Sequence, residues 1–236
     1  MDFWFSYRLS DFILFSERVY WRLFEQVNNL VGVFLPVLIA LGCLLLVGVW
    51  SRHRAVQLAT AVLLAALWLS SAVLFLRLYY FPVNWVAGYA VPFFLLEAGL
   101  IVMLSITRRL TRAPLKTEPR VYLGFLLLVY AVIAHPFTSL IFGRSLSSAE
   151  IVGLAPDATA MATLGVLLII ARPRVLWLLL PVPVVLLILS GLTLQTLGTQ
   201  EAWVILFTLL IMAIALASPS LPFDTGNLTP TTKDEN

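Results

Sequence analysis

Residues 30–50 read LVGVFLPVLIALGCLLLVGVW, twenty-one consecutive positions without a charge. At about 1.5 Å of rise per helical residue, such a run reaches about 30 Å, the thickness of the hydrocarbon core of a bilayer. It sets the reading of everything around it. Of the 236 residues in the chain, 61% are hydrophobic and 11% charged, against about 45–50% and about 25% in soluble proteins. A soluble domain is therefore excluded as the expectation. Fifteen Lys and Arg against twelve Asp and Glu leave a net charge of +3, too mild and too dispersed for a nucleic-acid-binding stripe.

Six more apolar runs follow. Residues 55–80 are interrupted by Arg77 near their end, 83–106 enclose Glu97, and 121–143 contain His135-Pro136. Residues 158–171 form a short fifth run, 175–194 carry Pro181 and Pro183, and 201–217 bring in a seventh. The expected fold is an all-α polytopic membrane bundle of seven transmembrane helices over residues 30–217. Ahead of it, Phe12, Phe15, Val19, Leu23, Phe24 and Val27 recur at helical steps opposite Glu17, Arg18, Arg22 and Glu25. That periodicity predicts an amphipathic helix within residues 1–29, capped by Ser10 or Asp11 and lying at the membrane interface or on the end of the bundle. Asp2, Arg8 and Asp11 precede any long apolar core, which does not suit a cleaved signal peptide. Residues 218–236 are polar and rich in Pro and Thr, and read as a disordered cytoplasmic tail.

Basic residues orient such a bundle, because Lys and Arg are retained on the cytoplasmic side. Seven crossings collect Arg52, Arg54, Arg108, Arg109, Arg112, Lys116, Arg120, Arg172, Arg174 and Lys233 on one face. The other face keeps Arg8, Arg18, Arg22, Arg77 and Arg144. The expectation is an N-terminus outside and a C-terminus in the cytoplasm. The single cysteine, Cys43, lies inside an apolar run and forbids both an intrachain disulfide and a CxxC motif.

An ionisable group within a span is costly and so is a functional candidate by default. Glu97 falls roughly 13 Å above the inner boundary by helical rise, while His135 and Asp157 both fall roughly 21 Å above it. A shallow outward-facing polar pocket is expected from His135, Asp157, Thr138 and Thr159, with Tyr79, Tyr80, Asn84, Arg144 and Glu150 near its mouth. The plainer alternative makes Asp157 a helix N-cap and His135 a packing residue. Sharper assignments fail on residue type. The only lysines, Lys116 and Lys233, lie outside the spans, which removes a retinal Schiff base. Two histidines at opposite levels, His53 and His135, supply neither b-haem ligation nor a zinc or copper site. No Walker loop, GxGxxG after a strand or serine nucleophile elbow is present. No catalytic residue, cofactor or metal is expected.

His135-Pro136, Gly143-Arg144 and the stretch GLAPDATAMATLG at 153–165 resemble a group of bacterial multi-pass inner-membrane proteins classed only as a domain of unknown function. YFPVN at 80–84, FFLLEAG at 93–99 and Tyr20-Trp21 are similar to the same group. The resemblance covers most of the chain and is most specific between residues 130 and 190. It implies placement in the bacterial inner membrane and carries over no catalytic residue. It also implies that position 157 varies, which weakens Asp157 as an essential group. Three functions are weighed. The first is small-solute transport or sensing through the outward pocket, with Glu97 as a further polar group at depth. The second is a non-catalytic subunit or assembly factor docked on a membrane-protein partner. The third is a membrane enzyme using His135 and Asp157 on a lipid or quinone. The bilayer is the one partner common to all three, with the basic loop near residues 107–120 touching anionic lipid.

Overall fold

The computed structural model describes residues 15–110 and 118–218. The expected cap at Ser10 or Asp11, the residue Phe12 and the polar tail beyond Ser218 lie outside them. Among the described residues, regular structure is helical apart from one isolated bridge between Val152 and Ala155. Four helical stretches are long and apolar enough to cross a membrane: Glu17–Gly48, Arg54–Tyr80, Trp85–Ile106 and Pro119–Ile141. A fifth is obtained if Pro173–Leu179 and Pro181–Leu197, bent by 43° at their junction, count as one broken span. The remaining two apolar helices, Pro156–Ile170 and Ala202–Ala217, have 15 and 16 residues.

We label the α-helices α1 (Glu17–Val31), α2 (Leu35–Gly48), α3 (Arg54–Ser70), α4 (Val91–Ile106), α5 (Pro119–Val129), α6 (Thr138–Ile141), α7 (Pro156–Ile170), α8 (Pro173–Leu179), α9 (Pro181–Leu197) and α10 (Ala202–Ala217). Several spans depart from regular α geometry. The end of the second, Ser71–Tyr80, winds as π-helix. So does Tyr130–Ala134, followed by a tighter 3-10 turn at His135–Phe137. Pro136 brings no N–H to that turn, which is why the winding changes there. The bend between α8 and α9 has the same origin, since Pro181 and Pro183 withdraw two donors at the start of α9.

The amphipathic segment is a helix, and its buried face is Tyr20, Trp21, Leu23, Phe24, Val27 and Asn28. It packs on Ser71–Tyr80 and on the turn Leu146–Ser148, with the Phe24 and Phe75 rings 4.5 Å apart. Val19, expected on the apolar face, is 38% exposed, because Tyr20 and Trp21 take the inward positions instead.

The core is organised around α7. Every residue from Pro156 to Ile169 is buried, so this helix is enclosed by its neighbours along nearly its whole length. Small side chains permit the enclosure: a Cβ added at Gly165 would lie 2.7 Å from the Leu128 backbone N and 2.8 Å from the Gly124 carbonyl O. Such glycine contacts are how helix backbones approach closely where no water drives their association. Its hydroxyls are satisfied internally, since Thr163 donates to the Thr159 carbonyl at 2.8 Å and accepts from Trp68 Nε1 at 2.8 Å.

The close approach gives a test. Gly165→Ala places a methyl against backbone on two sides and is expected to cost about 1–3 kcal/mol through overpacking. Gly99→Ala, where a Cβ meets nothing within 4 Å, is expected to leave stability unchanged or raised. Thermal midpoints of the two detergent-solubilised variants check this, and equal midpoints would remove the close-approach argument.

Candidate functional site

At the end of the bundle where α7 begins, residues 142–155 run as a loop folded into the protein. Ser148, Glu150, Ile151, Val152 and Leu154 are all buried. Its backbone is provided for: Gly153 N–H donates to Thr159 Oγ1 at 2.8 Å, and Ser71 Oγ donates to the Leu154 carbonyl at 3.0 Å. Gly153 takes a φ of +90°, and a Cβ there would come within 2.5 Å of Leu67 Cδ2, so both backbone and space require glycine. On the other side, Asn28 of α1 donates from Nδ2 to the Ser147 and Ala149 carbonyls, each at 2.8 Å.

This loop carries a buried charge network centred on Arg144. Its Nε donates to Glu201 Oε1 at 2.9 Å and its Nη2 lies 3.4 Å from Glu150 Oε2. Nη1 donates to the Ser148 carbonyl at 3.0 Å, and the guanidinium stacks 3.5 Å from the centre of the Trp21 ring. Two carboxylates, a carbonyl and an aromatic face thus surround one cation, the arrangement a desolvated guanidinium requires. His135 stands beside it, with Nε2 3.8 Å from Glu150 Oε2, and neither ring nitrogen has a hydrogen-bond partner.

Next to this network lies a cavity of about 390 Å³. Its polar groups are Tyr20, Tyr80, Asn84, Asp157, Ser190 and two threonines of α9; the rest of its wall is aliphatic and aromatic. Ser190 Oγ donates to Asp157 Oδ2 at 2.5 Å, joining α9 to the first turn of α7. Asn84 sits at the edge, where its Oδ1 accepts from the Val86 N–H at 3.1 Å.

The residues singled out from sequence therefore divide. Asp157 and Asn84 line the cavity, whereas His135 and Arg144 belong to the ion network beside it. His135 and Asp157 share one end of the bundle but take different partners, Glu150 and Ser190. Ala155 holds the N-cap position of α7, with Pro156 and Asp157 following inside its first turn. Thr138 and Thr159 spend their hydroxyls on the His135 and Ala155 carbonyls. Glu97 is fully buried in the middle of α4, lines no part of this cavity, and its carboxylate oxygens have no partner. Tyr20, Ser190, Glu201, Trp21 and Asn28 were not among the expected pocket residues. Asn28 alone left a signal, as a polar residue on the buried stripe of α1. Among the described residues, no three His, Cys, Asp or Glu side chains group as metal ligands.

Burial pushes the Glu150 carboxyl up to about 7, with Arg144 pulling it down and Glu201 adding to the rise. An acid whose folded pKa exceeds its ordinary value of 4.5 stabilises the fold fully at low pH. That contribution is lost as pH rises through the folded value. The thermal midpoint is thus expected to fall as pH rises between about pH 5 and about pH 8. Glu150→Gln should flatten that part of the profile. A variant whose profile runs parallel to the wild type would remove Glu150 as the cause.

No curated protein and no solved structure matches the chain. One family model does match, over residues 17–221. That range takes in the network and the cavity entire, and the chain belongs to the family of unknown function DUF6064.

Proposed function

We propose that the protein is a seven-span protein of the bacterial inner membrane, N-terminus outside and C-terminus cytoplasmic, that binds a small solute in its outward-facing cavity for transport or sensing. The observation that carries the reading is the Ser190–Asp157 pair set into an otherwise mostly apolar cavity. Sites for small organic molecules combine an apolar wall with a few placed polar groups in this way, at volumes of about 300–1,000 Å³. The solute has a partly apolar body and a donor, such as a hydroxyl or ammonium, that addresses Asp157.

The charge distribution supports the orientation. Arg52, Arg54, Arg108, Arg109, Arg120, Arg172 and Arg174 lie at the end opposite the cavity, against Arg18, Arg22, Arg77 and Arg144 at the cavity end, where Glu17, Glu25, Glu150, Asp157 and Glu201 also lie. The short α7 fits a crossing role because protein, not lipid, surrounds it. The 16-residue α10 fits with modest thinning of the bilayer around it. A reporter fused to the C-terminus is expected to read as cytoplasmic; an exported reading overturns the orientation.

Solute binding is tested by a thermal-shift screen of small molecules with an apolar body and an ammonium or hydroxyl head. Removing a charge-assisted hydrogen bond is worth about 1.5–3 kcal/mol, so Asp157→Asn is expected to weaken the best binder by about tenfold or more. Ala90→Phe, which fills the cavity from its wall, should abolish the shift. Binding that survives both variants places the solute elsewhere.

A second reading rests on the first helical stretch. The most apolar window of Glu17–Gly48 is only 11% buried, against 50%, 33% and 44% in the other three long stretches. Lipid covers that face in the first reading, and a partner subunit covers it in the second. A stoichiometric partner that copurifies in mild detergent favours the second.

A further inference from the structure

The arginine-rich end holds a second concave feature, separate from the cavity. A groove of about 770 Å³ runs between the last turn of α4 and the start of α8. Arg108, Arg109, Arg172 and Arg174 line it, together with Leu104, Val175 and Leu178. Arg109, Arg172 and Arg174 are exposed, and none of the three forms an ion pair among the described residues. Glu118 is the one acid near this end among the described residues, and it lines a neighbouring depression with Arg120. Three guanidiniums without an ion pair among the described residues therefore converge beside Arg108.

The apolar half of the groove decides what kind of anion fits. Leu178 is 50% exposed and the adjacent Trp177 63%, so the wall continues onto the outer surface of the bundle. Ile106, one turn before Arg109, ends a helix of membrane-spanning length. The arginines thus stand where headgroups lie, and the leucines where acyl chains begin. Guanidinium forks pair with phosphate oxygens two at a time, which a compact ammonium does not. We infer that this groove binds one anionic phospholipid, its phosphodiester held by Arg109, Arg172 and Arg174 and an acyl chain laid along Leu178. A free phosphate would use the rim alone and leave the apolar wall unoccupied.

The full-length protein, purified in neutral detergent, is titrated with phosphatidylglycerol, with phosphatidylcholine of the same chains, and with inorganic phosphate. Bound lipid is counted by native mass spectrometry and stabilisation read as the thermal midpoint. Phosphatidylglycerol is expected to be retained at least tenfold better than phosphatidylcholine, and phosphate to give no stabilisation at the same concentration. Arg172→Gln with Arg174→Gln should remove that preference, while Arg52→Gln, at the same end but outside the groove, should keep it. Equal retention of the two lipids overturns the site. So does a loss in Arg52→Gln as large as in the groove variant, which would mark diffuse attraction. Stabilisation by phosphate alone overturns the lipid as occupant. If the double variant does not fold, the comparison of the three ligands on the wild-type protein decides the matter.

Discussion

Enclosure of α7 is the constraint on which the other arrangements depend. A helix buried from Pro156 to Ile169 can be reached only by neighbours that approach its backbone closely. Gly124 and Gly165 allow α5 to do so, and alanines at 158, 160 and 162 keep the remaining surface low. Its hydroxyls must also be satisfied within the protein, as Thr159 and Thr163 are. Enclosure relaxes one demand: a helix that meets no lipid need not match the thickness of the bilayer. At fifteen residues α7 is shorter than the roughly twenty that a lipid-facing crossing needs.

The same enclosure makes room for an irregular loop. Backbone outside helices can be buried only where its polar groups find partners, and residues 142–155 meet α1, the stretch Arg54–Tyr80 and Glu201 at the start of α10. The loop in turn brings Arg144 inward, which obliges two carboxylates and the Trp21 ring to meet it. Two acids against one guanidinium leave an excess of negative charge in a desolvated site. Burial is the main reason the Glu150 pKa is raised, with Arg144 pulling it down and Glu201 adding to the rise. Docking of α1 follows from the same network, because Trp21 and Asn28 are bound to the loop rather than to lipid.

Much of this was legible in the chain. Apolar runs marked three of the four long helical stretches near their observed bounds, because a lipid-facing span writes its length directly into hydropathy; the first stretch, Glu17–Gly48, joins the amphipathic segment to the run at 30–50. The run at 158–171 was readable as a short helix, but its enclosure depends on neighbours that hydropathy does not report. At the site, the cost of polar groups at depth pointed to Glu97, His135 and Asp157, with Arg144 near the mouth; Glu97 lies away from the cavity, in the middle of α4. Helical rise put His135 and Asp157 at one height, and they do share one end of the bundle. Rise says nothing of azimuth, however, and their side chains turn to Glu150 and Ser190 instead. Glu150 was expected near the mouth, but Ser190 and Glu201 arrive from distant parts of the chain, Glu201 being 57 residues from Arg144 and Ser190 33 from Asp157, with no periodicity to announce them.

One broken helix connects the two ends. Arg172 and Arg174 flank the start of α8 in the groove, and Ser190 of α9 closes on Asp157 in the cavity, with the 43° bend between them. Two prolines remove backbone hydrogen bonds at the bend, making it the place where the element yields most easily. Ser190 lies on the α9 side of the bend, whereas the close backbone approach of α7 is to α5. For a lipid at α8 to bias the cavity, it must bind one bend angle more tightly than another, since equal affinity shifts nothing. Arg108 and Arg109 follow the end of α4 and Arg172 and Arg174 flank the start of α8, so the groove is built from two elements and one of them belongs to the broken helix.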